Sequence, residues 1–141
     1  MRHQGKLAAI LALAMGIACT NDATTSSEPP PQSAPLTGFV VSLTTPNADD
    51  GALALTLRGP DVGQIQPASS QYLVYTRPIS GNETHVIIVG DVAAGHVLTV
   101  TIGPGHKLTD YSAFMNEVAA RNDALRGTLS DYQLTLAPSG N

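Results

Sequence analysis

The stretch GFVVSLTTPNADDGALALTLRG, Gly38 to Gly59, decides how this chain is read. Phe39, Val41 and Leu43 alternate along its first half, and Leu53, Leu55 and Leu57 along its second, which is the period of two half-buried β-strands. Between them Pro46-Asn47-Ala48-Asp49-Asp50-Gly51 supplies residues that fix φ or accept the left-handed region, so the segment reads as a hairpin. A hairpin cannot bury its leucine face alone, and the segments after Gly59 must provide a covering layer.

The rest of the chain supplies that layer in short β-rich pieces. Pro60-Asp61-Val62-Gly63 is a turn, and Gln64 to Ala68 is at best a short edge strand, since Pro67 cannot donate to a ladder. Gln71 to Thr76 is rich in residues that suit a pleated surface and stops at Arg77-Pro78. After a turn at Ser80-Gly81-Asn82, His85 to Val89 is apolar on both sides, the pattern of a central strand covered on each face. His96 to Ile102 follows Ala94-Gly95, with Leu98, Val100 and Ile102 on one face and Val97, Thr99 and Thr101 on the other; Gly103-Pro104-Gly105 ends it.

Residues 107 to 126 admit two readings. Leu108, Tyr111, Met115, Val118 and Leu125 fit a helical face with Thr109 as N-cap, whereas Tyr111, Ala113 and Met115 alternate as a strand that runs into Val118-Ala119-Ala120 and a loop at Arg121-Asn122-Asp123. The β-rich context favours the strand. Asp131 to Leu136 alternates again and ends at Pro138. The expected fold is therefore all-β, an antiparallel β-sandwich of seven to eight short strands over residues 37 to 137, with 138 to 141 as a tail.

Upstream, Arg2, His3 and Lys6 precede an apolar run of 11 residues, Leu7 to Ile17. A helical span of a bilayer core takes about 20 residues, so this run reads as a secretory leader, residues 1 to 18. It ends in Met15-Gly16-Ile17-Ala18-Cys19, with the single cysteine of the chain directly after a small residue. This resembles the lipobox of bacterial lipoproteins, although Gly16 stands where that pattern prefers leucine. The resemblance implies a diacylglyceryl group on Cys19 and a mature N-terminus there. The other reading is an ordinary leader cleaved near Ala14 or Ala18. Thr20 to Leu36, TNDATTSSEPPPQSAPL, is nearly free of apolar side chains and reads with Cys19 as a disordered tether, stiffened at Pro29-Pro30-Pro31 and able to reach about 50 Å when extended.

Composition bounds the function. Seven Lys and Arg against eleven Asp and Glu give a net charge of −4, with no basic patch to meet a phosphate backbone, so no nucleic acid is expected. One cysteine allows no internal disulfide. The strand spacing, with Val-x-Leu-x-Thr-Pro-x-x-Asp-Asp-Gly at Val41 to Gly51, resembles immunoglobulin-like and cohesin-like sandwiches of bacterial surface proteins, without the buried Trp and paired cysteines of antibody domains.

Candidate chemistry is sparse. Asn47, Asp49 and Asp50 before Gly51 suggest a calcium loop, but the position that needs a glutamate is Leu57, and an ordinary turn accounts for them. His85, His96 and His106 lack the spacing of a zinc site. Asp110, Glu117, Asp123 and Asp131 would serve as a carboxylate pair only if the fold joined two of them; scattered, they are a solvated face. Asn82-Glu83-Thr84 has the form of a glycosylation sequon, which a bacterial-type leader argues is unused. The reading is an envelope lipoprotein, lipid-anchored at Cys19 on the extracytoplasmic side, carrying a non-catalytic binding or assembly module that needs no cofactor or metal. The partners it leaves are the membrane and a protein or polysaccharide. The alternative is a small envelope enzyme or enzyme subunit using Asp49, Asp50 or His106.

Overall fold

The computed structural model describes residues 35–140. The leader, Cys19 and the tether up to residue 34 lie outside the described residues. Eight strands follow in order: β1 (Gly38–Thr44), β2 (Asp50–Arg58), β3 (Val62–Pro67), β4 (Leu73–Ser80), β5 (Glu83–Val92), β6 (Gly95–Ile102), β7 (Ser112–Ala120) and β8 (Gln133–Pro138), with a 3-10 turn at Leu108–Asp110 before β7. They form two four-stranded antiparallel sheets, β3-β6-β1-β8 and β4-β5-β2-β7. The chain is thus an all-β sandwich, and residues 112–120 are a strand.

The opening hairpin is not formed. β1 pairs with β6 and β8, while β2 pairs with β5 and β7, so residues 45–49 carry the chain from one sheet to the other. An alternating pattern states that one face is buried without stating which backbone lies alongside. Here the two apolar faces meet across the sandwich: Phe39, Val41 and Leu43 from β1 and Leu53, Leu55 and Leu57 from β2 are all buried in one core with Val86, Ile88, Val97, Leu98, Val100 and Val118. Among consecutive strands, only β4 and β5 are bonded to each other, around the turn at Gly81-Asn82.

Three further expectations are corrected. β5 is central in its sheet yet covered on one face only; Val86 and Ile88 point into the core while Ile87 and Val89 remain in solvent. β4 does not stop at Arg77-Pro78 but runs to Ser80, which an edge strand tolerates because its outer backbone groups have no strand to bond. Pro67 and Pro138 also lie in edge strands, β3 and β8. Val97, assigned by alternation to the face opposite Leu98, is buried together with it, because the register against β1 slips between Val41 and Ser42 and turns two successive residues inward.

One end of the core is closed by a side chain on backbone. Tyr111 stacks near Phe39, with ring centroids 5.0 Å apart, and donates its hydroxyl hydrogen to the Pro60 carbonyl at 2.8 Å. Its ring lies against Gly59, where a Cβ would come within 2.2 Å of Tyr111 Cδ1 and the backbone has φ +149°, so only glycine fits that turn.

Candidate functional site

The acids singled out in the first loop serve the fold. Asp50 opens β2 and is fully buried. Its carboxylate accepts hydrogen bonds from Thr45 Oγ1 at 2.6 Å, Tyr132 Oη at 2.9 Å and Arg126 Nε at 3.1 Å, and Arg126 Nη2 is 3.0 Å away. Asn47 donates to Tyr132 Oη at 2.7 Å, and Asp49 takes the outer side of Arg126. The hydrogen bond to Asp49, and after it the one to Asp50, raises the Arg126 pKa above its ordinary value against the opposing effect of burial. A buried carboxylate is tolerable only when its lone pairs are met. Here they are, so this cluster is a clasp holding the sheet-crossing loop to the segment before β8.

The histidines are dispersed. His85 stands on the outer face of β5, 3.4 Å from Glu83. His96 bonds locally, its Nε2 lying 2.9 Å from the Leu98 carbonyl and 3.0 Å from Thr99 Oγ1. His106 lies between Asp61, 3.0 Å from Nε2, and Asp110, 4.0 Å from Nδ1. Asp61 sits beyond the far end of β2 from Asp50, a strand length of roughly 25–30 Å, so the loop acids and His106 do not share a site. Asp110 spends its carboxylate on the Lys107 amide, and burial with Asp110 and Asp61 nearby raises the Tyr111 phenol above 10.0. Asp110 precedes β7 and Asp123 follows it, Glu117 faces outward from its middle, and Asp131 precedes β8, so these acids form no pair. Among the described residues no group of three His, Cys, Asp or Glu side chains could hold a metal. Asn82 is exposed in the β4–β5 turn.

The feature that the fold does not use is the outer face of β4-β5-β2-β7. Leu73 and Tyr75 are each 60% exposed and Leu125 is 66% exposed; Ile79, Ile87, Val89 and Phe114 are exposed as well. The register aligns Leu73 with Val89, Ala52 and Ala119 across the sheet, and Tyr75 with Ile87, Ala54 and Glu117. Ala52, Ala54 and Ala119 floor a shallow groove of about 180 Å³ between Ile87 and Leu125. On the next row Arg77, His85, Thr56 and Phe114 are aligned; Arg58 lies over the Phe114 ring at 5.1 Å and bonds Glu83 at 3.0 Å. Sequence reasoning takes Ile87 and Val89 for core. The signal that could have found this face is the excess of apolar residues on β5 over what one core needs.

Comparisons of this chain with protein families, with curated proteins and with solved structures find no match.

Proposed function

We propose that this chain is a bacterial envelope lipoprotein, held to a membrane on the extracytoplasmic side through lipid on Cys19, whose sandwich is a non-catalytic module acting by contact. The observation that supports the contact reading is the outer face of β4-β5-β2-β7, which leaves seven large apolar side chains in solvent, those of Leu125 and Phe114 among them. The largest apolar patch of a soluble domain is often its functional surface, and five aliphatic residues with one tyrosine and one phenylalanine suit a protein partner better than a polysaccharide, which would call for more stacking rings. The anchor reading rests on the leader, the cysteine directly behind it and the polar tether.

Photo-crosslinking in cells separates this from other readings. A photoreactive amino acid at position 87 is expected to yield one adduct of defined mass, while the same group at position 101, an exposed site on the other sheet, yields none. Equal, diffuse labelling from both positions would remove the case for a contact surface.

A further inference from the structure

We propose that the outer face of β4-β5-β2-β7 seats a second copy of this chain, giving a twofold dimer with these sheets stacked face to face. The inference rests on the contact reading above and adds the occupant. Its basis is self-complementarity, which a symmetric interface requires because the same patch must fit itself.

Shape comes first. In these two rows every bulky apolar side chain, Leu73, Tyr75, Ile87 and Val89, belongs to β4 or β5, and β2 and β7 contribute Ala52, Ala54 and Ala119 beside Glu117. A twofold axis along the strand direction lays β4 of one copy over β7 of the other, and β5 over β2. The ridge of each copy then stands over the alanine floor of its mate, with Leu125, bridged to Ala119, as the far wall. Sheets stacked in this way align within about 30° through their twist, which keeps the rows in approximate correspondence.

Charge follows the same symmetry. Arg58 is matched by Glu83, Arg121 by Asp91 and Arg126 by Asp49 and Asp50, but among the described residues neither Arg77 nor Glu117 has an ion-pair partner. They occupy opposite flanks of the face, β4 and β7, one row or about 7 Å apart along the strands. The same axis brings Arg77 of each copy to the Glu117 flank of the other, within the reach of an arginine. An anionic membrane surface is the poorer occupant: it would press Glu117 into lipid and meet a chain of net charge −4.

Four strands and three rows span roughly 400 Å² per copy, about 800 Å² in total, short of the ~1,200 Å² usual for a stable interface. The dimer is therefore weak in free solution. Copies tethered to one membrane meet at effective concentrations approaching about a millimolar, where a weak interface closes.

The test is sedimentation equilibrium of the full chain carrying Cys19→Ser, from about 10 μM to about 1 mM. A concentration-dependent dimer is expected, weakened at least tenfold by Ile87→Glu and by the milder Ile87→Ser, both at an exposed position and checked for an unchanged melting transition. Arg77→Glu and Glu117→Arg should each weaken it, and the double variant, which restores opposite charges across the axis, should recover it. A monomer throughout, a dimer indifferent to Ile87→Glu, or a double variant no better than the singles would each overturn the proposal. So would binding of the monomer to vesicles of phosphatidylethanolamine and phosphatidylglycerol that is lost in Ile87→Glu. A crosslinked adduct at position 87 of another mass would overturn the second copy and leave the contact module standing; no adduct and no dimer would end both.

Discussion

Asp50 shows how much of this fold turns on one side chain. Its carboxylate joins residues 76 and 82 positions away, Arg126 and Tyr132, to the loop that crosses between the sheets. Asp50→Asn keeps the shape but replaces an acceptor-only group with one that presents hydrogens toward donors. A loss of about 3 kcal/mol is expected from chemical denaturation, against about 1 kcal/mol for Tyr132→Phe, which leaves the charge otherwise satisfied. Tyr111 gives a pH signature. Burial, aided by Asp110 and Asp61, raises its phenol above 10.0, so the folded state favours the neutral form. The stability this confers is complete below pH 10 and is lost as pH rises through the raised value. Tyr111→Phe should cost about 1 kcal/mol at neutral pH, through the bond to Pro60, and then lose less stability than the parent in the alkaline range. Parallel denaturation midpoints for the two proteins across that range would refute the assignment.

At the scale of the strand, neighbouring isoleucines of β5 make opposite predictions. Ile88 is fully buried and Ile87 is 46% exposed. Ile88→Ala should destabilise the domain by about 2–5 kcal/mol, and Ile87→Ala by less than about 1 kcal/mol, as read from denaturant midpoints at constant m-value. Comparable losses would mean that the outer face is packed within the chain. The two residues also mark how far the amino-acid pattern reaches. Alternation locates β1, β2, β6 and β8 and the buried sides of β1 and β2, because period 2 is a property of one strand in isolation. It cannot decide that β1 and β2 face each other across the core, since that depends on which neighbours take up their backbone hydrogen bonds. Nor does alternation by itself reveal that an apolar outer face goes uncovered, because an exposed isoleucine and a buried one read alike; only the excess of apolar residues on β5 carries that signal. The Asp50 clasp is illegible for a related reason. Its members read as ordinary loop and strand residues until the fold brings together segments nearly eighty residues apart.

At the scale of the whole molecule, the proposed weak interface and the proposed anchor depend on each other. A sandwich exposing an apolar face of only a few hundred Å² gains little from binding in dilute solution, and gains much when its copies share one membrane. The proposed anchor therefore governs more than location. Each buried CH₂ contributes about 0.8 kcal/mol, so two or more acyl chains on Cys19 would hold the protein where one chain would exchange. Cys19→Ser should move the protein from the membrane fraction to the soluble fraction and, with the domain itself unchanged in melting temperature, reduce crosslinking from position 87 in the same cells. Retention of the Cys19→Ser variant in washed membranes would sink the anchor. Release with undiminished crosslinking would show that the face finds its partner without the membrane's help, and that the interface is stronger than its area suggests.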